Sequence, residues 1–103
     1  MTSAEVKTIA NQIRTMRIRG AGRIARAAAK ALKITAKTSK AKTPNEFLKE
    51  LDRVSEYLLS TRPTAVSLPN AVRFITLKPK LAKDADLRTL QKMVVSRADE
   101  LIH

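Results

Sequence analysis

Both glycines of the chain lie in residues 16–23, two positions apart, with arginines at positions 17, 19 and 23 around them. Glycine tolerates a positive φ angle and lets the backbone approach a ligand closely. The planar guanidinium of arginine suits phosphate and carboxylate groups, and a helix that begins at such a turn presents free N–H groups at its positive end. The segment therefore predicts a site for an anion such as a phosphorylated small molecule. The alternative is a glycine helix stop followed by an arginine-rich surface.

The elements that must position this segment are all helical. Apolar residues recur at helical intervals in five stretches, which we place at roughly 3–16, 21–38, 43–61, 64–77 and 84–103. Residues 17–20 are then the turn before the second helix, and residues 78–80 form a loop before the fifth. Because no strand-like alternation competes with this pattern, the fold class is predicted to be all-α, a small bundle of about five helices forming one domain over residues 1–103.

The ends of these helices carry recognisable capping signals. Thr2 and Glu5 are spaced as a capping box for the first helix. The third helix has the clearest start, with Thr43 as N-cap, Pro44 at the first helical position and Glu46 completing a capping box. These signals predict the starts of the first and third helices, and they say nothing about the helix ends.

Other expectations concern helix starts and buried faces. Ser67 is expected to cap the fourth helix, and Asp84 lies near the start of the fifth. Among the apolar stripes, Met16 is expected at the buried end of the first helix and Leu77 on the inward side of the fourth. Each of these assignments follows from periodicity or capping preference alone.

Charge and composition narrow the function classes. The net charge is +12 and there is no cysteine, which excludes a disulfide framework and a thiol nucleophile and is compatible with the cytoplasm. Residues 1–43 hold eleven basic residues and one acid, a net +10, so attraction to RNA or another polyanion is plausible. Only three aromatic residues are present, too few for a base-stacking platform. No membrane span, cofactor or metal site is expected.

Three segments together resemble a known family. They are MRIRGAG at residues 16–22, TRPTAVSL at 61–68 and SRADELI at 96–102. This combination resembles the N-terminal domain of the family that joins the alpha, beta and delta subunits of translation initiation factor 2B to the isomerases of ribose 1,5-bisphosphate and methylthioribose 1-phosphate. The resemblance covers essentially the whole chain, and it implies a larger C-terminal Rossmann-like domain that these 103 residues lack.

The resemblance also implies roles for particular residues. In the isomerase branch the RGA arginine and backbone address a sugar phosphate, so Arg19 becomes the anion clamp, with Gly20 and Ala21 supplying backbone contacts. The arginine of the RPT signature meets the same ligand, which gives Arg62 a second phosphate contact. Arg62 could instead cap the carbonyl groups that end the third helix. Gly22 replaces the proline of the methylthioribose branch, which points toward the archaeal ribose-bisphosphate or initiation-factor-like members.

A stripe of basic residues runs along the second helix with no acid to balance it in the sequence. Its spacing of three and four places it on one helix face, and it includes the possible polyanion-binding residues Arg23, Arg26, Lys30, Lys33 and Lys37. One interpretation is a solvated outer face. The other is a surface for an acidic partner, such as RNA or a second protein domain.

These observations leave three functional interpretations. The first is an initiation-factor-2B-like helical interaction or regulatory module with an anion site around the RGA and RPTA motifs. The second is the cap domain of a ribose-1,5-bisphosphate isomerase, and the third is a small basic RNA-binding protein. Because the family's catalytic cysteine and aspartate belong to its second domain, no catalytic residue is expected here. The expected partners are that domain or related subunits, a sugar phosphate and further copies of the chain.

Overall fold

The computed structural model describes residues 3–82 and 84–103, and it holds five helices and no strand within them. They are α1 (Ala4–Arg14), α2 (Ala21–Thr38), α3 (Pro44–Thr61), α4 (Ser67–Leu81) and α5 (Leu87–Ile102). The predicted all-α bundle is confirmed, and the predicted bounds of α2 match the observed ones. Among the described residues, no helix is both long and apolar enough to cross a bilayer.

The α2 helix lies at the centre of the bundle and packs against each of the other four. Its buried face consists mostly of alanine, a strong helix former whose small side chain lets neighbouring helices approach closely. The residues of this face are Ile24, Ala27, Ala28, Ala29, Ala31, Leu32, Thr35 and Ala36. The glycine turn leads directly into α2, so the packing of α2 in the core holds the turn in place.

Larger side chains from the surrounding helices complete one core. Phe47, Leu51 and Leu58 are fully buried on α3, and Leu90 and Val94 are almost fully buried on α5. They recur at intervals of four or seven residues, as one face of a helix requires. The inward faces predicted for these two helices are confirmed at these positions.

The starts of three helices are capped by side chains. Thr43 Oγ1 accepts a hydrogen bond from the Glu46 amide at 3.1 Å, and the Glu46 carboxylate accepts from the Lys42 amide at 3.0 Å, so the predicted start of α3 is confirmed. Ser3 caps α1 by accepting from the Val6 amide at 3.2 Å. Thr2, the cap predicted for α1, lies outside the described residues.

The fifth helix begins slightly later than Asp84, and its cap is Asp86. The Asp86 carboxylate accepts a hydrogen bond from the Thr89 amide at 2.8 Å. Hydrogen bonds from Thr89 hold the pKa of this carboxyl below its ordinary value. An aspartate at this position also complements the positive end of the helix dipole.

The fourth helix corrects two predictions. It continues through residues 78–80, which were expected to form a loop, and Pro79 is buried within its last turn. Its inward face passes through Leu68, Val72, Ile75 and Pro79, at spacings of four, three and four. Leu77 was expected on this face, but it lies elsewhere on the helix and is 49% exposed.

Candidate phosphate-binding site

The glycine turn has the backbone geometry that its sequence predicts. Gly20 has φ 90° and ψ 138° and is the N-cap of α2, which begins at Ala21. A Cβ atom built on Gly20 would meet nothing within 4 Å, so the backbone angle alone makes glycine the favoured residue here. Gly22 lies within the first helical turn, and a Cβ there would be 3.4 Å from the flexible end of Arg26.

The residues just before the turn are held by backbone hydrogen bonds. The Met16 amide donates to the Ile13 carbonyl at 3.2 Å, and the Ile18 amide donates to the Gln12 carbonyl at 3.1 Å. Met16 has φ 66°, a value uncommon for any residue other than glycine. It is 50% exposed, so the prediction that it fills the core was wrong. The chain leaves α1 through a defined turn that delivers Arg19 to the start of α2.

The RPTA signature forms the connection between α3 and α4. Arg62 follows the last residue of α3 and has φ −147° and ψ 82°. Its carbonyl accepts from the Ala65 amide at 3.0 Å, and the Ala65 carbonyl accepts from the Leu68 amide at 3.1 Å. Ser67 is the first residue of α4 and Val66 is its N-cap, one residue earlier than predicted. This connection is a tight turn that places Arg62 close to the start of α4.

The two signatures, whose arginines Arg19 and Arg62 are 43 positions apart in the sequence, line one surface pocket of about 290 Å³. The first contributes Met16, Arg19, Gly20, Ala21 and Ile24, and the second contributes Arg62, Ala65, Val66 and Ser67. All four predicted phosphate-binding residues are therefore brought together. The structure thus supplies the proximity that a shared ligand would require.

Two arginines are among the lining residues of this pocket, although its exposed surface is almost entirely apolar. Arg19 is exposed and Arg62 is half-buried, and neither guanidinium has a carboxylate within 4.0 Å among the residues described. The N-termini of α2 and α4 both lie at the pocket, and neither has a side-chain cap, unlike those of α1, α3 and α5. The first N–H groups of α2 carry the positive end of its dipole, whereas at the start of α4 the Leu68 amide is bonded to the Ala65 carbonyl and Pro69 has no N–H. The side chains of two arginines and the positive end of α2 therefore lie at one small volume.

The wall of the pocket is apolar where it is not charged. Met16 and Val66, at its edge, are 50% and 73% exposed. Large apolar side chains this exposed in a small chain are commonly found where another surface or a ligand covers them. Neither exposed side chain could be predicted from the sequence, since Met16 continues the apolar stripe of α1 and Val66 follows the RPT signature.

The basic stripe of α2 is present, with one change from the expectation. Arg23, Arg26, Lys30 and Lys37 are exposed. Lys33 is half-buried, and its ammonium lies 2.6 Å from an Asp99 carboxylate oxygen on α5. The hydrogen bond from Lys33 lowers the pKa of Asp99. One residue of the stripe is therefore balanced within the chain, contrary to the prediction that none would be.

Five helices around a glycine turn, with the RGA and RPTA signatures in one pocket, define the fold of a known class of protein. The family model described as "Initiation factor 2 subunit family" matches residues 17–103. The chain therefore belongs to this family, and it corresponds to the N-terminal part of the longer proteins.

Relatives with curated functions are sugar-phosphate isomerases. Ribose 1,5-bisphosphate isomerase from Pyrococcus furiosus is 51% identical over 100% of this chain and 32% of its own length. The enzyme of the same name from Thermococcus kodakarensis is 48% identical over 96% of this chain and 31% of its own length. A putative methylthioribose-1-phosphate isomerase from Pyrococcus furiosus is 38% identical over 93% of the chain and 27% of that protein. The chain thus spans about a third of the length of these relatives.

A solved structure has the same helical fold. The crystal structure of 5-methylthioribose 1-phosphate isomerase from Pyrococcus horikoshii OT3 is similar with a TM-score of 0.88 and 36% identity. The match covers 93% of this chain and 27% of that one. The five helices are therefore an arrangement that occurs within a longer enzyme.

Proposed function

We propose that these 103 residues form one helical domain that contributes the phosphate contacts of a sugar-phosphate isomerase of the ribose 1,5-bisphosphate type. The observation that carries the proposal is the convergence of Arg19 and Arg62 on one pocket at two uncapped helix starts. The higher identity to the archaeal ribose 1,5-bisphosphate isomerases than to the methylthioribose enzyme supports this choice of substrate class.

The chemistry of the pocket suits a phosphate monoester. A phosphate group accepts charge-assisted hydrogen bonds, each contributing about 1.5–3 kcal/mol. Arg19 and Arg62 offer guanidinium donors from two directions, and the N–H groups of Ala21 and Gly22 add backbone donors at the positive end of α2. Gly20 leaves open space where a side chain would otherwise stand. The sugar would then extend over the apolar edge formed by Met16 and Val66.

Isomerisation itself would require groups from outside this domain. The resemblance implies that a cysteine and an aspartate of the second domain move the protons, and this sequence contains no cysteine. We therefore propose a binding role for the described pocket and a cytoplasmic enzyme whose remaining domain or partner subunit carries the chemistry. Assembly with that domain would cover the exposed Val66 side chain.

An NMR titration of the chain tests the location of the site. We expect ribose 1,5-bisphosphate to shift the amide resonances of residues 20–24 and 62–68 saturably, while ribose without phosphate does not. Substituting Arg19→Gln or Arg62→Gln should weaken binding by about 10- to 100-fold, since each removes about 1.5–3 kcal/mol of interaction.

Arg53→Gln provides the matched control, because Arg53 is an exposed arginine on α3 outside this pocket. It removes the same charge from the chain, so general attraction between a basic protein and an anion would weaken equally in all three variants. Equal losses in all three, or the absence of saturable shifts at residues 20–24 and 62–68, would refute the proposed site.

A second candidate function is an interaction or regulatory module of a translation initiation factor. The description of the matching family favours it, as do the exposed Met16 and Val66, which would suit a protein contact. In that case the pocket would bind a phosphorylated regulator or a partner subunit without turnover. Incubating the full-length protein with ribose 1,5-bisphosphate distinguishes the two, because ribulose product at an enzymatic rate is expected only for the isomerase.

A further inference from the structure

A second cationic cluster lies in the groove between α2 and α5, apart from the pocket of the RGA and RPTA motifs. The groove has a volume of about 750 Å³, within the range of small-molecule sites. Three exposed cations line it: Lys37 from the last turn of α2, and Arg88 and Lys92 from the first turns of α5. None of the three has a carboxylate within 4.0 Å among the described residues.

The arrangement of α5 aims several polar groups at the groove. Arg88, Lys92 and Ser96 follow one another at four-residue spacing, which places them along one helix face. Between the helices, the Gln91 side-chain amide donates to the Ala36 carbonyl at 3.0 Å. This hydrogen bond links α2 and α5 at the groove, so the cations lie on two helices that are held together.

The acids near the groove are already engaged. Asp99 lines one end, but its carboxylate is bound by Lys33 at 2.6 Å. Asp86 lies near Arg88 and Lys92, but its carboxylate caps α5 through the Thr89 amide. Counting these two acids together with Lys33 and the three lining cations leaves two positive charges in excess.

The position of Arg88 adds a physical reason to expect a bound anion. It is the second residue of α5, and the nearby carboxylate of the N-cap Asp86, which attracts both Arg88 and Lys92, is already bonded to the Thr89 amide. A cation near a helix N-terminus is disfavoured by the helix dipole, and Lys92 at i+4 repels it further. An anion in the groove would relieve both effects at once.

We propose that the α2–α5 groove binds a small organic phosphate, with Arg88, Lys92 and Lys37 holding the phosphate. Its apolar body would lie on Val95, which is half-buried and lines the groove. The site is independent of the Arg19–Arg62 pocket and would allow a second phosphorylated compound to be bound by the same domain. A concave groove with cations from two helices suits a compact ligand better than an extended strand, which would follow the convex stripe of α2.

Titration of the chain with phenyl phosphate, followed by NMR, tests this proposal. We expect saturable shifts of the amide resonances of residues 36–37 and 88–99, and none with benzyl alcohol, which lacks the phosphate. The double variant Arg88→Gln/Lys92→Gln should bind phenyl phosphate at least tenfold more weakly. Since both residues are exposed, its thermal melt should stay close to that of the parent chain.

Lys49→Gln/Arg53→Gln is the matched control. It removes one lysine and one arginine, also exposed and four residues apart, but on α3 beside Glu46 and Glu50. An affinity within twofold of the parent chain is expected for this control. Equal weakening in both double variants, or no saturable binding of phenyl phosphate, would overturn the proposal. So would tighter binding of a uridine dodecanucleotide with shifts at residues 36–37 and 88–99, because the groove would then belong to an RNA surface.

Discussion

Gly20 occupies a backbone conformation that side chains rarely adopt, and it stands where the candidate phosphate site begins. Its φ of 90° is accompanied by open space around the missing Cβ. We therefore expect Gly20→Val to destabilise the fold by about 1–3 kcal/mol through backbone strain. The same substitution should impair phosphate binding, because the strain would displace the Ala21 and Gly22 amides.

Gly22→Ala is the comparison within the same turn. Gly22 already lies inside α2, where alanine is favoured over glycine by up to about 1 kcal/mol, and its added Cβ would meet only the flexible Arg26 side chain at 3.4 Å. We expect a higher midpoint in thermal melts for this variant and a lower one for Gly20→Val. Equal destabilisation of both would contradict the start of α2 at Ala21.

The two turn residues Gly20 and Met16 show which features a sequence can predict at this scale. Glycine between two helical patterns and flanked by arginines indicates a positive φ because few other residues tolerate one. Met16 also has a positive φ, but its type and its position on the apolar stripe of α1 indicated a buried helical residue. Its conformation depends on the hydrogen bonds that close the turn after α1, which single-residue preferences do not describe.

At the scale of the elements, the start of α3 depends on one hydroxyl group. Thr43 accepts from the Glu46 amide, and Pro44 occupies the first helical position. Replacing an N-cap threonine by alanine costs about 0.5–2 kcal/mol, so Thr43→Ala should lower the free energy of unfolding by that amount. Urea denaturation measures it, with Asn45→Ala in the same turn as the control. A loss in the control as large as that in Thr43→Ala would refute the capping role.

The fourth helix shows where local rules fail and packing decides. Proline inside a helix removes a hydrogen bond and disturbs the preceding turn, which is why a loop was predicted at residues 78–80. Instead Pro79 is buried, and just before its turn Arg97 of α5 donates to the Phe74 carbonyl at 3.2 Å. The Arg97 guanidinium also lies 3.9 Å from the centre of the Phe74 ring. This contact between elements 23 residues apart could not be read from either segment alone.

At the scale of the whole molecule, the positive charge of the chain is partly offset by carboxylates, and the pKa values of two of them are lowered. The hydrogen bond from Lys33 lowers the pKa of Asp99, and hydrogen bonds from Thr89 lower that of Asp86. A folded-state pKa below the unfolded value of about 3.9 contributes stability above that pH, and this contribution is lost as the pH falls through the lower folded value. We therefore expect stability to decline on acidification below about pH 4.

Asp99→Asn tests the part of this pH dependence that comes from the Lys33–Asp99 ion pair between α2 and α5. It should lower the urea midpoint at pH 7 and make the decline between pH 5 and pH 2 (roughly the interval in which carboxylates titrate) less steep. Glu56→Gln, at an exposed carboxyl with no ion pair within 4.0 Å among the described residues, is the control. An unchanged midpoint and an unchanged acid slope in Asp99→Asn would show that the Lys33–Asp99 pair contributes nothing to folding.

The sequence could predict which residues form the candidate site but not how the fold brings them together. The spacing and residue types of the two signatures, read with the family resemblance, predicted that Arg19 and Arg62 serve one ligand. Their common pocket depends on α2 packing beside the start of α4, a contact between distant segments that periodicity cannot specify. The uncapped start of α4 at Val66 likewise emerged only in three dimensions, since Ser67 was the expected cap.

A double-mutant cycle on the affinity for ribose 1,5-bisphosphate tests the central claim, that Arg19 and Arg62 bind one phosphate in one pocket. The dissociation constants of the parent chain, Arg19→Gln, Arg62→Gln and the double variant would be measured by NMR titration. We predict a loss of about 10- to 100-fold for each single variant. The loss in the double variant should be smaller than the product of the two, because contacts to a shared group are not additive. Unchanged affinity in the single variants, or losses that multiply in full as for separate sites, would contradict the claim.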